Sequence, residues 1–211
     1  MKERPILFSA PMVRAILEDR KTQTRRIMKS QPYTLRVEGF GYPTKAGGSV
    51  SLQSEHCLHE CPYGEAGDRL WVRETWTGTW HETEGPENMH IAYAADGGER
   101  FVIAPEDYVL PKAAAKCGGW VSPLFIKRFA SRILLEITDV RVQRLQEISE
   151  EEAIAEGADP IAEEVGSDLS IRYRAAFHSL WSRINGIGSW NANPWVWAIT
   201  FKRIEAAERA V

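Results

Sequence analysis

Between residues 133 and 157 the chain changes periodicity from that of a strand to that of a helix, and this limits the folds open to it. Ile133, Leu135 and Ile137 alternate, and Val140 and Val142 continue the alternation in the opposite phase. The change of parity at Thr138-Asp139 predicts a bulge or turn that re-aims the side chains. The chain then reads Ile148-Ser149-Glu150-Glu151-Glu152-Ala153-Ile154-Ala155-Glu156-Gly157. Ser149 and Glu152 form a capping box, three acidic residues suit the first helical turn, and Gly157 is a natural stop. Shorter strand candidates lie at Ile6–Phe8, Leu70–Glu74, His90–Ala94, Arg100–Ile103 and Pro194–Phe201, with a second amphipathic helix over Ser170–Ile184. The expectation is an α+β fold.

Glu156 is the one acidic residue of the 149–157 helix that capping does not explain. It sits in the last turn, where the helix dipole disfavours a carboxylate. It reads either as a solvated surface glutamate or as a group held there to pair with Lys21 or to serve in acid/base chemistry.

Near the N-terminus, Ser9 and Pro11 mark a helix start, and Val13, Ile16 and Leu17 form an apolar stripe. The apolar residues then stop, and Arg20-Lys21-Thr22-Gln23-Thr24-Arg25-Arg26 runs unbroken. Cations interleaved with hydroxyl and amide groups suit directed hydrogen bonding as well as solvation. On a helical or turn-like backbone Lys21 and Thr24 can meet as a base–nucleophile pair. From Arg14 to Lys29 there are six cations against Glu18 and Asp19, on a chain of formal charge -3. That argues against a broad nucleic-acid coat while leaving a focused site for a phosphate or nucleotide.

At 211 residues the chain is long enough for one sizeable core. We expect a single domain over 1–211, with insertions at about 30–64 and 76–128. The first is loops with a hairpin near Tyr33–Val37 and a turn at Gly47-Gly48; the second is a flap over a site. No signal-peptide pattern or membrane-length apolar run is present, so no membrane partner is expected and a cytoplasmic setting is. Three cysteines (Cys57, Cys61, Cys117) do not suggest a disulfide framework. His56, Cys57, His59 and Cys61 are zinc-type ligands, but the separated second pair that structural zinc sites use is missing. The alternative is a loop in which Cys61 packs as a small apolar residue, and no cofactor is expected. Trp190, Trp195 and Trp197 suit either base stacking or sheet packing.

The order of these elements resembles the ASCH domains of the PUA-like superfamily. Their Gly-x-Lys-x-x-Glu-x-Arg motif falls on Asp19, Lys21, Thr24 and Arg26, so its Gly and Glu are replaced here. Gly67-Asp68-Arg69-Leu70 resembles the family's Gly-Asp strand start, and Ser149–Gly157 its capped acidic helix. Arg20-Lys21-Thr22-Gln23-Thr24-Arg25-Arg26 is similar to the Arg-Lys-Thr-x-Thr-x-Arg of small bacterial N4-acetylcytidine amidohydrolases. The chain also looks like uncharacterised phage and prophage proteins with the same Pro-Met-Val-Arg-Ala-Ile-Leu opening and Asn-Pro-Trp-Val-Trp ending. The resemblance covers residues 6–29, 66–75, 131–157 and 194–203; the two insertions have no counterpart in the minimal enzymes.

That resemblance implies a small mixed or antiparallel PUA-like β-barrel with flanking helices and a large inserted flap. It implies catalytic roles for Lys21, Thr24 and Glu156 in a metal-free hydrolysis of an N4-acylated cytidine or related modified base. Arg20, Arg25 and Arg26 would contact substrate, with Trp71 and Trp195 as further substrate-binding residues. The alternative is a non-catalytic module that binds RNA, and a third reading is a structural or host-interaction protein of a phage with Trp76, Trp80 and Trp120 as contact points.

Overall fold

Strand alternation organises most of the chain in the computed structural model, which describes residues 1–34, 40–44, 48–52, 55–80, 88–115, 119–159 and 169–204. The first elements are β1 (Glu3–Leu7), α1 (Ala10–Leu17), β2 (Gln23–Ile27), β3 (Tyr33–Thr34), β4 (Phe40–Pro43), β5 (Ser49–Ser51), α2 (Glu55–His59) and β6 (Arg69–Arg73). There follow β7 (Trp76–Trp80), β8 (Asn88–Tyr93), β9 (Glu99–Ile103), α3 (Lys112–Ala115), β10 (Leu134–Arg144), α4 (Glu150–Ala155), α5 (Leu169–Asn185) and β11 (Trp195–Arg203). The fold is α+β, with more strands than helices, and the pairings within each part described below form open sheets. No helix among the described residues is long and apolar enough to cross a membrane.

The contacts divide the chain into two discontinuous units. The first comprises Met1–Glu18, Arg69–Leu135 and Arg203–Val211. Here β1 runs parallel to β6, with Ile6 opposite Val72 and both buried. Ser9 takes the N-cap position of α1 through its backbone, accepting from Val13 N–H at 2.9 Å, without the expected side-chain cap. Strands β7, β8 and β9 form an antiparallel sheet whose inward residues Trp76, Met89, Ile91, Tyr93 and Val102 build a buried cluster with Trp71, Ala114, Val121 and Ile126. Residues 76–128 therefore supply an apolar core, where the sequence reading expects a peripheral flap. Strand β7 is the element missed. Gly78 at its centre reads as a turn signal, yet a Cβ there would lie 3.0 Å from the Trp76 ring.

Arg132 is the polar centre of this unit. It holds both oxygens of the buried Glu74 at 2.9 and 2.8 Å and both of Asp96 at 2.9 and 2.7 Å. Its guanidinium carbon lies 4.2 Å from the centre of the Tyr93 ring, whose hydroxyl donates to Ala130 O at 2.7 Å. Burial pushes the Glu74 carboxyl up, against the pull of Arg132.

The second unit comprises Asp19–Asp68 and Glu136–Lys202. In it β10, β11 and β2 pair in that order, with β2 antiparallel to β11, and β3, β4 and β5 form a small antiparallel sheet. Thr44 N–H donates to Gly48 O at 3.2 Å between β4 and β5, while Gly47 of the expected turn lies outside the described residues. Residues 35–37 of the hairpin expected near Tyr33–Val37 lie outside the described residues. β10 continues unbroken through Thr138-Asp139, where two successive exposed residues mark the change of parity. Helix α4 forms as expected, with both capping-box bonds present: Glu152 N–H to Ser149 Oγ at 3.2 Å and Ser149 N–H to Glu152 Oε2 at 3.0 Å. Gly157, at φ 73°, takes the left-handed stop. A core of Leu145, Ile148, Ala153, Phe177, Trp181 and Val196 joins α4 and α5 to β11. Ile184, expected on the buried stripe of α5, is exposed, and the side chain of Ile171 lies outside the described residues.

Arg132→Ala strands a buried carboxylate and is expected to lower stability by about 3–5 kcal/mol in urea unfolding. Asp96→Ala removes a carboxylate that is one-third exposed and is expected to cost about 1 kcal/mol or less.

Candidate functional site

The polar run after α1 is a strand from Gln23 onward. Glu18 ends the helix, and Asp19 sits at φ 56°, a left-handed conformation that glycine enters without strain and Asp better than most residues. This is the place of the glycine in the resembled motif. Lys21 then makes an isolated antiparallel bridge with Glu156, Thr22 N–H donates to Ala155 O at 2.8 Å, and β2 begins. The start of β2 is thereby fastened to the end of α4.

Lys21 is 2 % exposed. Its ammonium donates to Gln23 O at 2.6 Å, Glu156 O at 2.8 Å and Glu156 Oε2 at 2.9 Å. The second oxygen, Glu156 Oε1, accepts from Arg25 Nη1 at 3.1 Å. Arg25 Nη1 also donates to Gln23 Oε1 at 2.7 Å, and its Nη2 to Glu152 Oε2 at 2.7 Å. Arg141 holds the other Glu152 oxygen at 2.9 Å, and the Phe177 ring centre lies 5.9 Å from the Arg25 guanidinium carbon. Arg141 also pairs with Asp139 at 3.0 Å, so three cations and three carboxylates share one network.

Burial pushes the Lys21 ammonium below its ordinary value, opposed by the charge and hydrogen bond of Glu156 and reinforced by Arg26 and Arg25. Burial likewise lowers Arg26, whose charge is felt by Tyr63 and Glu156. Burial raises the Glu152 carboxyl, but the Ser149 N–H, Arg25 and Arg141 outweigh it and hold it below the usual glutamate range.

The structure therefore brings Lys21, Arg25 and Glu156 together, and it does not build the expected helical Lys21–Thr24 pair. A spacing of three makes neighbours on a helix, whereas successive residues of a strand alternate between faces. Gln23 and Arg25 share one face of β2, with Gln23 Nε2 donating to Thr200 Oγ1 at 3.2 Å. Thr24 and Arg26 share the other, opposite Ile199 and Trp197 of β11. Arg20 is half-exposed and pairs at 3.2 Å with the exposed Asp159, an outer ion pair apart from the buried network.

The tryptophans expected to meet substrate have other surroundings. Trp71 is 8 % exposed in the apolar cluster of the first unit, with Arg73 over its ring at 4.8 Å, so packing accounts for it. Trp195 lies edge-on to Phe40 at 5.1 Å and under the Arg144 guanidinium at 4.5 Å. Trp190 packs by His178 at 4.7 Å, and Trp197 is core.

The zinc alternative is not assembled. Helix α2 turns Cys57 inward and the chain beyond it buries Cys61, while His59 is exposed and bonds Glu65. The side chain of His56 and all of Cys117 lie outside the described residues. Burial pushes the Cys57 thiol up to about 11, with help from Glu60 and Cys61, which opposes the thiolate that zinc needs. Among the described residues no three His, Cys, Asp or Glu side chains group as metal ligands.

Three residues of the network were not legible as such. Gln23, Arg141 and the second role of Glu152, which caps α4 and also holds two arginines, are tertiary features; only the capping half has a local signal. Compared with family models, with curated proteins and with solved structures, the chain finds no match.

Because Glu152 titrates lower in the folded chain than in the unfolded one, its contribution is fully present above the ordinary glutamate value of 4.5 and is lost as pH falls through the lowered value. Unfolding free energy measured against pH is expected to fall below about pH 4.5, and Glu152→Gln is expected to flatten part of that fall.

Proposed function

We propose that the protein is an amidohydrolase that acts on an N4-acylated cytidine nucleoside or a related modified base. The observation that carries this is the buried Lys21–Glu156 pair. An isolated pair of charges is expensive to bury, and apolar residues of the same volume often serve stability as well or better. Ionisable groups kept at that cost, with a lysine driven toward its neutral form, are characteristic of acid/base sites. Arg25 and Arg26 surround the pair with positive charge suited to a developing oxyanion.

In this proposal water is added across the acyl C–N bond, releasing a carboxylic acid and the free exocyclic amine. Lys21, oriented by Glu156, takes a proton from the attacking water and passes it to the leaving nitrogen, while the Thr24 hydroxyl, on the face of β2 that also carries Arg26, hydrogen-bonds the substrate beyond its acyl group. An ammonium has three donors and Lys21 uses all three, so service as a base means giving up one of its present bonds when substrate arrives. The finer fold belongs to the same reading: a PUA-like barrel of the ASCH type, consistent with the Gly67-Asp68 strand start and the capped helix that presents Glu156. Buried free thiols at Cys57 and Cys61 suit the reducing cytoplasm.

Saturation of Lys21 favours a second reading, in which the network is scaffold and the protein binds modified RNA without chemistry. Conversion of N4-acetylcytidine to cytidine separates the two. Hydrolysis is expected in the wild type, with a loss of about 10²–10⁴-fold in Lys21→Met and Glu156→Gln whose circular dichroism is unchanged. Thr24→Ser is expected to retain a fraction of activity that Thr24→Val loses. Equal activity in all four variants sinks the assignment; no conversion at high enzyme concentration, with RNA retained in low salt, selects the binding module.

A further inference from the structure

We propose that the cavity walled by Tyr42, Tyr63 and Trp197 is a pocket for a planar heteroaromatic base that carries an amino donor, in the form of a nucleoside or nucleotide. This rests on the preceding reading for the class of substrate, but not on its chemistry. The cavity measures about 410 Å³, within the range of small-molecule sites. It lies entirely within the second unit. Its walls include Tyr42, Tyr63 and Trp197, with Glu60 and Lys29 also lining it.

Each wall is fixed by a separate feature. Trp197 comes from β11 and is 1 % exposed; Tyr42 comes from β4, is 9 % exposed, and meets Trp197 edge-on at 5.7 Å and 81°. Such a pair presents a rigid corner rather than a mobile lid. Behind it the inward Cys57 and Cys61 behave as small apolar residues, since burial keeps the Cys57 thiol protonated. Tyr63 follows directly on Cys61-Pro62, where Gly64 N–H donates to Cys61 O at 3.3 Å and closes the turn.

The polar groups give the pocket its preference. Burial raises the Tyr42 hydroxyl, and Glu60, which lines the same pocket, adds to that rise. A carboxylate only accepts hydrogen bonds, so it favours an exocyclic amine over a carbonyl at the same place on a ring. Lys29 offers an exposed cation for a phosphate or sugar oxygen. Trp197 stands directly opposite Arg26 across the β2–β11 ladder, and the Arg26 charge is felt by both Tyr63 and Glu156. Arg26 thus stands across the ladder from the Trp197 wall of the pocket.

Calorimetric titration of the full chain with cytidine and with uridine tests this. Cytidine has no bond to be cleaved, so its binding is independent of turnover. Saturable cytidine binding at least tenfold tighter than uridine is expected in the wild type, and Glu60→Gln is expected to erase that preference. Tyr63→Ala is expected to weaken both ligands by about tenfold or more, the scale of a lost base–aromatic contact. Glu60→Gln keeps the shape of the site if Tyr63→Ala fails to fold. No saturable binding of cytidine at millimolar concentration, or affinities unchanged in folded Glu60→Gln and Tyr63→Ala, overturns the proposal. Binding that persists in a protein unable to deacetylate N4-acetylcytidine removes the hydrolase reading and leaves the pocket standing.

Discussion

The carboxylate of Glu156 is the point on which the second unit depends. One oxygen takes Lys21 and the other takes Arg25, while the carbonyl of the same residue takes the third bond of the Lys21 ammonium. Glu156 is also the C-cap of α4, so its backbone position is set by the helix and by Gly157 beyond it. Lys21, just before β2, and Glu156, at the end of α4, are 135 residues apart in sequence and meet here. An acidic group at a helix C-terminus is disfavoured by the dipole. Two cations at hydrogen-bonding distance outweigh a dipole effect of a few tenths to about 1 kcal/mol.

The first unit solves a similar problem differently. Arg132 is one cation between two carboxylates, with an aromatic face beneath it, and Asp96 brings the cluster toward solvent. Every guanidinium nitrogen there has a carboxylate oxygen, and the arrangement reads as structural: it fastens the end of β6 to the turn after β8. The Lys21–Arg25–Glu156 group is more deeply buried and holds a lysine that burial drives below its ordinary value, a titratable cation that the Arg132 cluster lacks. That contrast is why the Lys21 network, rather than Arg132, is the candidate site.

Local rules made part of this legible. Ser149, Glu152 and Gly157 announced α4 because capping is written in residues three to five apart, and Trp195–Phe201 announced β11 through aromatic and β-branched density. β2 was hidden because Gln23-Thr24-Arg25-Arg26 has no apolar alternation; its Gln23–Arg25 face is covered through charge and hydrogen bonds rather than through hydrophobic side chains. Reading the run as an extension of α1 then produced a Lys21–Thr24 neighbour pair that a strand cannot make. β7 was hidden by Gly78, a turn residue in most contexts and here the one that leaves room for the Trp76 ring. In each case the missing information was a contact with a distant segment, and no local pattern encodes it.

The alternation that separates Lys21 from Thr24 also divides the labour of β2. The Gln23–Arg25 face is committed to holding Glu156 and Glu152, and its partners are already in place. The Thr24–Arg26 face looks toward Ile199 and Trp197, and Trp197 is a wall of the aromatic cavity. A strand that is polar on both faces is costly unless each face has partners. The Gln23–Arg25 face finds Glu156, Glu152 and Thr200. The other carries an arginine lowered by burial and offset by Tyr63 and Glu156, beside a cavity of nucleoside scale. Two such faces on one strand allow a rigid charged scaffold and a cavity wall to be set by a single backbone.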